Sequence, residues 1–332
     1  MKKERLESNI KHGISPYVNS LFQQPWWLDA VAPEKWQEII IKKGEDVLLR
    51  FPYVMEQSKG TTLLTMPGIT QTLGPWLKPM EGKSSSQLSL QKELMNELIQ
   101  QLPAHDSFYQ RFHYSITNWL PFYWKGFNQT TRYTYVIEDL TNTDQIWEGM
   151  KSNIRNKIRK AEKIGVTVVD TDDIETFLTL NEMTFKRQGF SLPYSRDLVL
   201  RINEACVKNN SRKIYITYGS DGRPQTGLFC VYDKFSMYNL LQGGDPALRN
   251  SGANVLAMWE SIKFAAKTCK VYDFEGSMIE PIEEFFNSFG AIQKPYFEIS
   301  KTNSQKLKIR MHARELLKAI KSSMKRQDVN HK

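Results

Sequence analysis

MYNLLQGGDPALRNSGANVLAMWESIKFAAKTCKVYDFEGSMIEPIEEFFNSF, residues 237–289, is the stretch that decides the fold. Its first apolar run, 238–241, is typical of a strand and ends at the turn-forming sequence Gly-Gly-Asp-Pro (243–246). After Gly252 the apolar residues recur with helical spacing, which predicts a helix whose buried stripe is formed by Val255, Met258, Trp259, Ile262, Ala265 and Ala266. The stretch therefore begins with a strand, a glycine-containing loop and a helix.

A second strand and an acidic turn complete this unit. The strand is predicted at 271–274 and runs into the sequence Asp-Phe-Glu-Gly-Ser (273–277). Pro281 then opens a short helix with its apolar residues on one side. A strand, loop, helix and second strand in this order bring the start of the helix and the carboxylates of the turn to the same end of a sheet.

Three segments of the chain resemble the Fem-type transferases, bacterial enzymes that add amino acids to cell-wall precursors. They are LQGGDPALRNSG (241–252) with the helix after it, YDFEGS and EEFFNSFGA between 272 and 291, and KSNIRNKIRKAEKIG (151–165). The last is similar to the basic helix that opens the second domain of that group. The resemblance extends from Pro25 to Lys301. It implies an α/β (α+β) chain of two tandem domains with the acetyltransferase (GNAT, acyl-CoA N-acyltransferase-like) fold, each a mixed sheet flanked by helices.

The length of the chain agrees with two domains. It has 332 residues, of which 40% are hydrophobic, so that two cores of ordinary size can be buried. We predict an N-terminal GNAT-like domain at 1–143, a C-terminal GNAT-like domain with the donor site at 144–302, and a basic helical tail at 303–332. No apolar run reaches the roughly 18–20 residues of a membrane span, and the N-terminus lacks the apolar core of a signal peptide. We therefore expect a cytoplasmic protein, and a peripheral position at the inner membrane face stays open.

An internal repeat supports the duplication. Met66, Gln71 and Pro75 recur 171 positions later as Met237, Gln242 and Pro246. Each of the two segments is preceded by a predicted hairpin and followed by a helix and a strand. A short helix followed by a final strand is expected to close the sheet of each half. The two final strands are predicted at 134–137 and at 296–299.

The positive charge is concentrated in the tail. The formal charge of the chain is +9, and the segment from Lys301 onward holds ten lysines and arginines against two acidic residues. The rest of the chain is therefore almost neutral, and the high isoelectric point describes the tail. This basic amphipathic segment suits an anionic membrane, tRNA, or packing on the body with its charged side in water.

The residue types exclude several kinds of chemistry. The three cysteines form no CxxC pair and the five histidines share no metal-ligand spacing, so no metal site is predicted. The sequence also lacks a G-x-S-x-G motif, a P-loop and a recognisable Cys/His pairing. We therefore expect an amine to attack a bound thioester or ester directly, a reaction that depends on positioning rather than on a protein nucleophile.

The acidic turn supplies the catalytic candidates. Alternation along a strand predicts that Asp273 and Glu275 lie on one face, where either carboxylate can orient or deprotonate an attacking amine. The structural alternative is that one of them caps the helix at Pro281 or pairs with a lysine or arginine. Substrate contacts are predicted for three further polar residues, namely Tyr238, Gln242 and Ser277.

Two segments are candidates for binding the phosphates of a donor. The sequence from Arg249 partly matches the pyrophosphate loop of acyl-CoA-dependent GNAT enzymes, and the resemblance assigns cofactor binding to Arg249, Gly252, Ala253 and Asn254. The sixth position of that motif is Asn254 instead of glycine or alanine, and a simple helix cap is the alternative. The basic helix offers a second anion site, because residues four apart share a face at Lys151, Arg155 and Arg159. Its alternative is an ordinary solvated surface.

The resemblance implies a Fem-like acyltransferase of the GNAT superfamily, and the repeat, the basic helix and the glycine loop agree with it. It would transfer an acyl or aminoacyl group to an amine of a cell-envelope or glycan precursor, either a small molecule or a lipid-linked one. No tightly bound cofactor is expected, and the donor is either acyl-CoA or aminoacyl-tRNA. A non-catalytic module that binds tRNA or a membrane surface is the alternative, and the oligomeric state stays open.

Overall fold

The computed structural model describes residues 13–79, 81–187, 189–276, 278–310 and 313. The first half contains α1 (Pro25–Val31), β1 (Trp36–Lys43), β2 (Asp46–Ser58), β3 (Thr61–Thr65), β4 (Trp76–Leu77), α2 (Ser84–Gln101), β5 (Ser107–Arg111), α3 (Leu120–Trp124) and β6 (Asn128–Ile137). The second half contains α4 (Thr143–Gly149), α5 (Ser152–Lys163), β7 (Thr167–Thr171), α6 (Ile174–Arg187), α7 (Arg196–Lys208), β8 (Arg212–Tyr218), β9 (Pro224–Tyr232), β10 (Ser236–Gly244), α8 (Ala253–Thr268), β11 (Val271–Asp273), α9 (Glu280–Asn287) and β12 (Ile292–Thr302). Two 3-10 helices, Leu21–Gln23 and Pro246–Ser251, complete the described elements.

The strands form one continuous mixed sheet in the order β1-β2-β3-β5-β12-β6-β11-β10-β9-β8-β7, with β4 paired to β2. Each half inserts its last strand into the sheet of the other half. Thus β12 lies between β5 and β6, and β6 lies between β12 and β11. The expectation that these two strands close separate sheets is wrong, because they pair with each other and join both halves. The predicted domain boundary at 143 remains a prediction.

Helices cover both faces of the sheet. One face carries two apolar clusters, one beneath α2 and α3 and one beneath α5, α8 and α9. The pairing of β12 with β6 shows that these two clusters lie on the same face. Ile299, of the cluster beneath α2 and α3, pairs with Gln129 of β6, so both side chains point to one face of the sheet. Tyr135, of the cluster beneath α5, α8 and α9, is an even number of residues further along β6 and therefore points to that face too. The opposite face carries the third cluster, beneath α1, α6 and α7. The mixed α/β architecture predicted from the sequence is therefore confirmed.

The order of elements repeats, although the shared letters do not mark equivalent positions. A three-stranded antiparallel meander, a helix, a strand parallel to the last strand of the meander, a short helix and a long strand occur in both halves. Met66 follows the last residue of β3, however, whereas Met237 is the second residue of β10. The three shared residues therefore do not occupy equivalent positions. The duplication is supported by the order of the elements instead.

The two halves differ at the point where their parallel strands diverge. In the first half this gap is filled by the chain after β3, where Leu73 bridges to Phe112 beyond the end of β5. The backbone N–H of Gly74 donates to Gln110 Oε1 at 2.9 Å, and Gln23 Nε2 donates to the carbonyl of Gly74 at 2.9 Å. In the second half the corresponding gap between β10 and β11 is open.

The close contact at Gly74 predicts a large effect of a small substitution. Gly74 has φ +73°, and a Cβ there would lie 2.9 Å from the Cα of Phe112. We expect Gly74→Ala to lower the free energy of unfolding by about 3 kcal/mol, because left-handed strain and overpacking add. Gly60 has φ +72°, but a Cβ there would meet no atom within 4 Å, so Gly60→Ala is the matched control and should cost about 1 kcal/mol. Denaturant unfolding of both variants measures the difference, and equal losses would contradict the closed gap.

Candidate active site

A cavity opens where β10 and β11 separate. The two strands pair in parallel from Ser236 opposite Val271 to Tyr238 opposite Asp273, where β11 ends. Strand β10 continues to Gly244, so a space of about 520 Å³ lies between it, the start of α8 and the helix α9. This is the end of the sheet at which the sequence predicted the functional groups.

The lining of the cavity has an apolar part and a polar part, called here the apolar wall and the polar wall. The apolar wall comes from β10, the turn after β11 and α9, and consists of Leu240, Phe274, Ile282, Phe285 and Phe286. The polar wall is contributed by β9, β10, the end of α6 and the segment before α8, and includes Thr184, Arg187, Thr226, Asn239, Gln242, Arg249 and Asn254. The cavity can therefore receive a molecule with an apolar or acyl part and an anionic, hydrogen-bonding part.

A β-bulge lies directly after Asn239, which lines the cavity. The pairing of β10 with β9 shifts between Asn239 and Leu241, which leaves Leu240 outside the ladder. The side chain of Asn239 is 7% exposed, and its Oδ1 atom has no hydrogen-bond partner among the described residues. A buried acceptor without a partner is uncommon, so a donor on a bound molecule is the natural complement.

Asp273 is held by donors from both halves. Its Oδ1 atom accepts from Thr134 Oγ1 at 2.5 Å, from the backbone N–H of Glu275 at 2.7 Å and from Gln71 Nε2 at 3.2 Å. Its Oδ2 atom is buried and has no partner in the described part of the chain. Burial raises the pKa of Asp273 to about 6, and the hydrogen bonds from Thr134, Glu275 and Gln71 oppose this rise.

Glu275 is the carboxylate that reaches the cavity. It is half-buried, lines the cavity, and has no partner for Oε1 among the described groups. Burial raises its pKa well above the ordinary value, the negative charge of Asp273 raises it further, and the Arg111 guanidinium opposes both effects. The predicted alternation does not extend to Glu275, because β11 ends at Asp273 and Glu275 has φ +60°.

The turn that carries Glu275 lies directly on β6. Gly276 has φ +53°, and a Cβ at this position would lie 2.1 Å from the carbonyl oxygen of Tyr133. Only glycine fits there, so the contact with β6 fixes the place of Glu275. Neither structural alternative for the carboxylates is observed in the described chain: the N-cap of α9 is Ile279, and neither Asp273 nor Glu275 forms an ion pair.

A polar cluster lies on the three central strands beside this turn. Glu298 Oε2 accepts from Tyr109 at 2.9 Å and from Arg111 at 3.4 Å, and it forms a close ion pair with Arg132. The two arginines and the glutamate are each between 17% and 32% exposed. Two arginines share one carboxylate here, so the cluster has a net positive charge. Through Arg111, this charge opposes the rise in the pKa of Glu275.

The residues predicted to bind the cofactor lie together at the start of α8. Arg249 is in the 3-10 helix and Asn254 is in the first turn of α8, and both line the cavity. Gly252 is the N-cap of α8 with φ +83°, and a Cβ there would lie 2.6 Å from the carbonyl oxygen of Lys157 on α5. Ala253 is buried. Packing against α5 thus requires glycine at this position, independently of any ligand.

The two arginines of the basic helix α5 form contacts with other residues of the protein. Arg155 Nη1 donates to the carbonyls of Glu148 at 2.7 Å and Trp147 at 3.3 Å, and the Arg159 guanidinium lies 5.4 Å from the centre of the Trp147 ring. The backbone N–H of Lys151 donates to the carbonyl of Ser288 at 2.9 Å. The predicted common face therefore packs at the end of α4, and these residues do not line the cavity described above.

The three predicted substrate contacts differ in their placement. Gln242 lines the cavity. Tyr238 is 1% exposed, its ring centre lies 4.7 Å from that of Phe22, and it belongs to the core beneath α1, α6 and α7. Its hydroxyl has no partner among the described residues. Ser277 lies outside the described residues.

Several residues of the site escaped the sequence analysis. Gln71 and Thr134 come from the first half, and contacts over such separations leave no local pattern. Nothing in the spacing of Arg187, Thr226 and Asn239 indicated that they line a common cavity. Gln71 is one of the three residues shared by the internal repeat, but these residues lie at non-equivalent positions, so the repeat did not identify it as a site residue.

Two further properties concern metals and membranes. Within the described ranges, no group of histidine, cysteine, aspartate and glutamate side chains is arranged to hold a metal ion. In the same part of the chain, no helix has the length and apolar character required to cross a bilayer.

Comparison with known families gives two matches. Residues 149–281 match the acetyltransferase (GNAT) domain, and residues 88–197 match the FemAB family. No curated protein matches the sequence significantly.

Solved structures share the fold at low sequence identity. FemX is 13% identical with a TM-score of 0.65, and the match covers 83% of this chain and 91% of FemX. The C-terminal domain of a putative lysylphosphatidylglycerol synthetase from Agrobacterium fabrum is 10% identical with a TM-score of 0.51, covering 84% of this chain and 90% of that domain. L-PGS from Bacillus licheniformis is 12% identical with a TM-score of 0.50, covering 87% and 95%. The resemblance to Fem-type transferases, and the GNAT-like fold that it implied, are therefore confirmed.

Proposed function

We propose that this protein transfers an acyl or aminoacyl group to an amine of a cell-envelope precursor. The observation that carries the proposal is the position of Glu275, a carboxylate of raised pKa, on the wall of the cavity between β10 and β11. A general base works best when its pKa lies near the working pH, and ordinary exposed glutamates lie well below it. The GNAT and FemAB matches support the same class of reaction.

The donor occupies the cavity in this proposal. Its anionic part faces Arg187, Arg249 and the N-terminus of α8, where the helix dipole favours negative charge. Its acyl part lies along Phe274 and the apolar side of α9. The site residues fit the pyrophosphate of an acyl-CoA and the phosphodiester end of an aminoacyl-tRNA alike. The names of FemX and of the lysylphosphatidylglycerol synthetase support the aminoacyl donor, and the GNAT domain match supports acyl-CoA.

Glu275 accepts the proton of the attacking amine. The amine nitrogen forms a bond to the carbonyl carbon of the donor, and the C–S or C–O bond to the carrier breaks. The proton taken by Glu275 passes to the departing sulfur or oxygen, so that an amide and the free thiol or hydroxyl of the carrier remain. Asp273 acts through Glu275, because its negative charge raises the pKa of that carboxylate. Thr134 and Gln71 donate hydrogen bonds to Oδ1 of Asp273. Residues of the first half therefore affect the pKa of a carboxyl group that belongs to the second half. The acceptor is a small-molecule or lipid-linked precursor that bears a free amine.

The proposal is tested by donor binding and transfer. Thermal shift with acetyl-CoA, longer acyl-CoAs and charged tRNA identifies the donor, since a ligand of the folded state raises the melting temperature. Transfer to lipid-linked and nucleotide-linked envelope precursors is then followed by mass spectrometry. We expect Glu275→Gln to retain donor binding and to lose about 10²–10⁴-fold in transfer rate. Equal transfer by Glu275→Gln and wild type would contradict the role of Glu275, and the absence of any donor binding would favour a non-catalytic module.

The anion-binding wall gives a second test. We expect Arg249→Ala and Arg187→Ala each to raise the Kd of the donor about tenfold, because each removes a charge-assisted contact. Arg159→Ala is the matched control, since this exposed arginine stacks on Trp147 away from the cavity. Its donor Kd should stay within about twofold of wild type. Weaker binding by Arg159→Ala than by Arg249→Ala would move the donor site to α5.

The buried carboxylate gives a third test that needs no substrate. The folded-state pKa of Asp273, about 6, lies above its ordinary value, so stability is highest below the unfolded pKa and falls as the pH rises through 6. We expect Asp273→Asn to remove this loss, so that the variant gains up to about 3 kcal/mol over wild type between pH 4 and pH 7. Thr134→Val removes a hydrogen-bond donor to Oδ1 of Asp273, which should raise the pKa of Asp273 further. The loss of stability should then occur at higher pH. Parallel stability curves of wild type and Asp273→Asn would contradict the raised pKa.

A further inference from the structure

The short helix α3 presents large apolar side chains to solvent. Leu120, Tyr123 and Trp124 are 45%, 59% and 56% exposed, whereas Pro121 and Phe122 of the same helix are buried. The ring of Phe122 packs against the core beneath α2, so the orientation of the helix is fixed. Single exposed apolar residues are common on proteins, but three neighbours on one helical turn mark an interaction surface.

Cations lie beside this surface. Lys125 follows α3 directly, and Lys301 Nζ donates to the Lys125 carbonyl at 2.7 Å. Lys301 therefore fixes the end of β12 at the C-terminus of α3. The chain continues from there through the exposed residues Lys306, Lys308 and Arg310. In the described part of the chain, none of these five cations forms an ion pair.

The rest of the basic segment follows Lys301 in the sequence. From Lys301 to the end, the sequence holds ten lysines and arginines against Glu315 and Asp328. Nearly all of the net charge of the chain therefore belongs to the sequence segment that begins at Lys301, the residue whose side chain contacts the end of α3. A cationic segment does not favour docking on a surface that already carries Lys125 and Lys301, because like charges repel. An anionic partner satisfies both the segment and the surface.

We propose that Leu120, Tyr123, Trp124, Lys125 and Lys301 form a docking surface for an anionic phospholipid bilayer. Tyrosine and tryptophan have an apolar ring with a polar edge, which suits the depth of the lipid headgroups. Lysines beside them contact lipid phosphates and are attracted by the negative charge of the membrane surface. Apolar insertion and charge together give the two signals that stable peripheral binding needs. This surface is independent of the transfer reaction and would bring the enzyme to a lipid-linked acceptor.

Vesicle flotation tests the proposal with the full chain. We expect binding to vesicles of phosphatidylcholine with phosphatidylglycerol, and little binding to phosphatidylcholine alone. The variant Leu120→Ser/Tyr123→Ser/Trp124→Ser should bind at least about tenfold more weakly, because three partly inserted side chains are lost. Phe235→Ser is the matched control, since Phe235 is 52% exposed and lies beside Lys234 and Lys270. Its binding should stay within about twofold of wild type.

Three outcomes would overturn the proposal. The first is equal vesicle binding by the triple variant and wild type, which would leave the charge of the basic segment as the only signal. The second is a change of the triple variant from dimer to monomer in sedimentation, which would make α3 a contact between copies of the chain. The third is a lower melting temperature of the triple variant with unchanged vesicle binding, which would indicate that the basic segment packs on α3. Circular dichroism confirms folding, and Trp124→Ser alone replaces the triple variant should it unfold.

Discussion

The antiparallel pairing of β6 with β12 is the interaction on which the rest of the structure depends. It joins nine residue pairs, from Ile292 opposite Val136 to Ser300 opposite Asn128. Both strands lie in the middle of the sheet, and each has a neighbour from the other half on its second edge. Through β6, the first half reaches β11 and supplies Thr134 to the carboxylate at its end. The candidate active site therefore includes groups from both halves, although the cavity is lined by residues of the second half.

The same arrangement explains how a buried carboxylate is tolerated. Three hydrogen bonds converge on Oδ1 of Asp273, and two of their donors belong to the first half. They offset part of the desolvation of the charge, while Oδ2 keeps no partner among the described residues. Burial without full compensation is a common property of functional carboxyl groups, because complete pairing would return the pKa to its ordinary range. In the proposed function, the protein tolerates this cost in stability because the charge of Asp273 raises the pKa of Glu275.

The sequence predicted local features well and long-range features poorly. The unit β10–α8–β11 follows from helical and strand periodicity, and its place at the cavity follows from the order of its elements. The exchange of β6 and β12 could not be predicted, because strand pairing across more than 150 residues leaves no periodic pattern. The prediction that Asp273 and Glu275 alternate along one strand was wrong. The strand ends at Asp273, one residue earlier than predicted, and Glu275 has a left-handed backbone conformation. For Arg155 and Arg159, helical spacing placed them on one face correctly but could not show that Trp147 occupies it.

The insertion of β12 also determines when the protein can complete its fold during synthesis. The strands β5 and β6 are made early, yet the position between them is filled by a strand that is translated after the whole second half. Until then, the first half carries two unpaired strand edges facing each other in the middle of its sheet. Such edges favour wrong pairing and aggregation. Contacts between distant segments also slow folding, because a long loop must close before any pairing energy is gained. A nascent chain of this design is therefore exposed until its last strand emerges from the ribosome, and the two halves become native together.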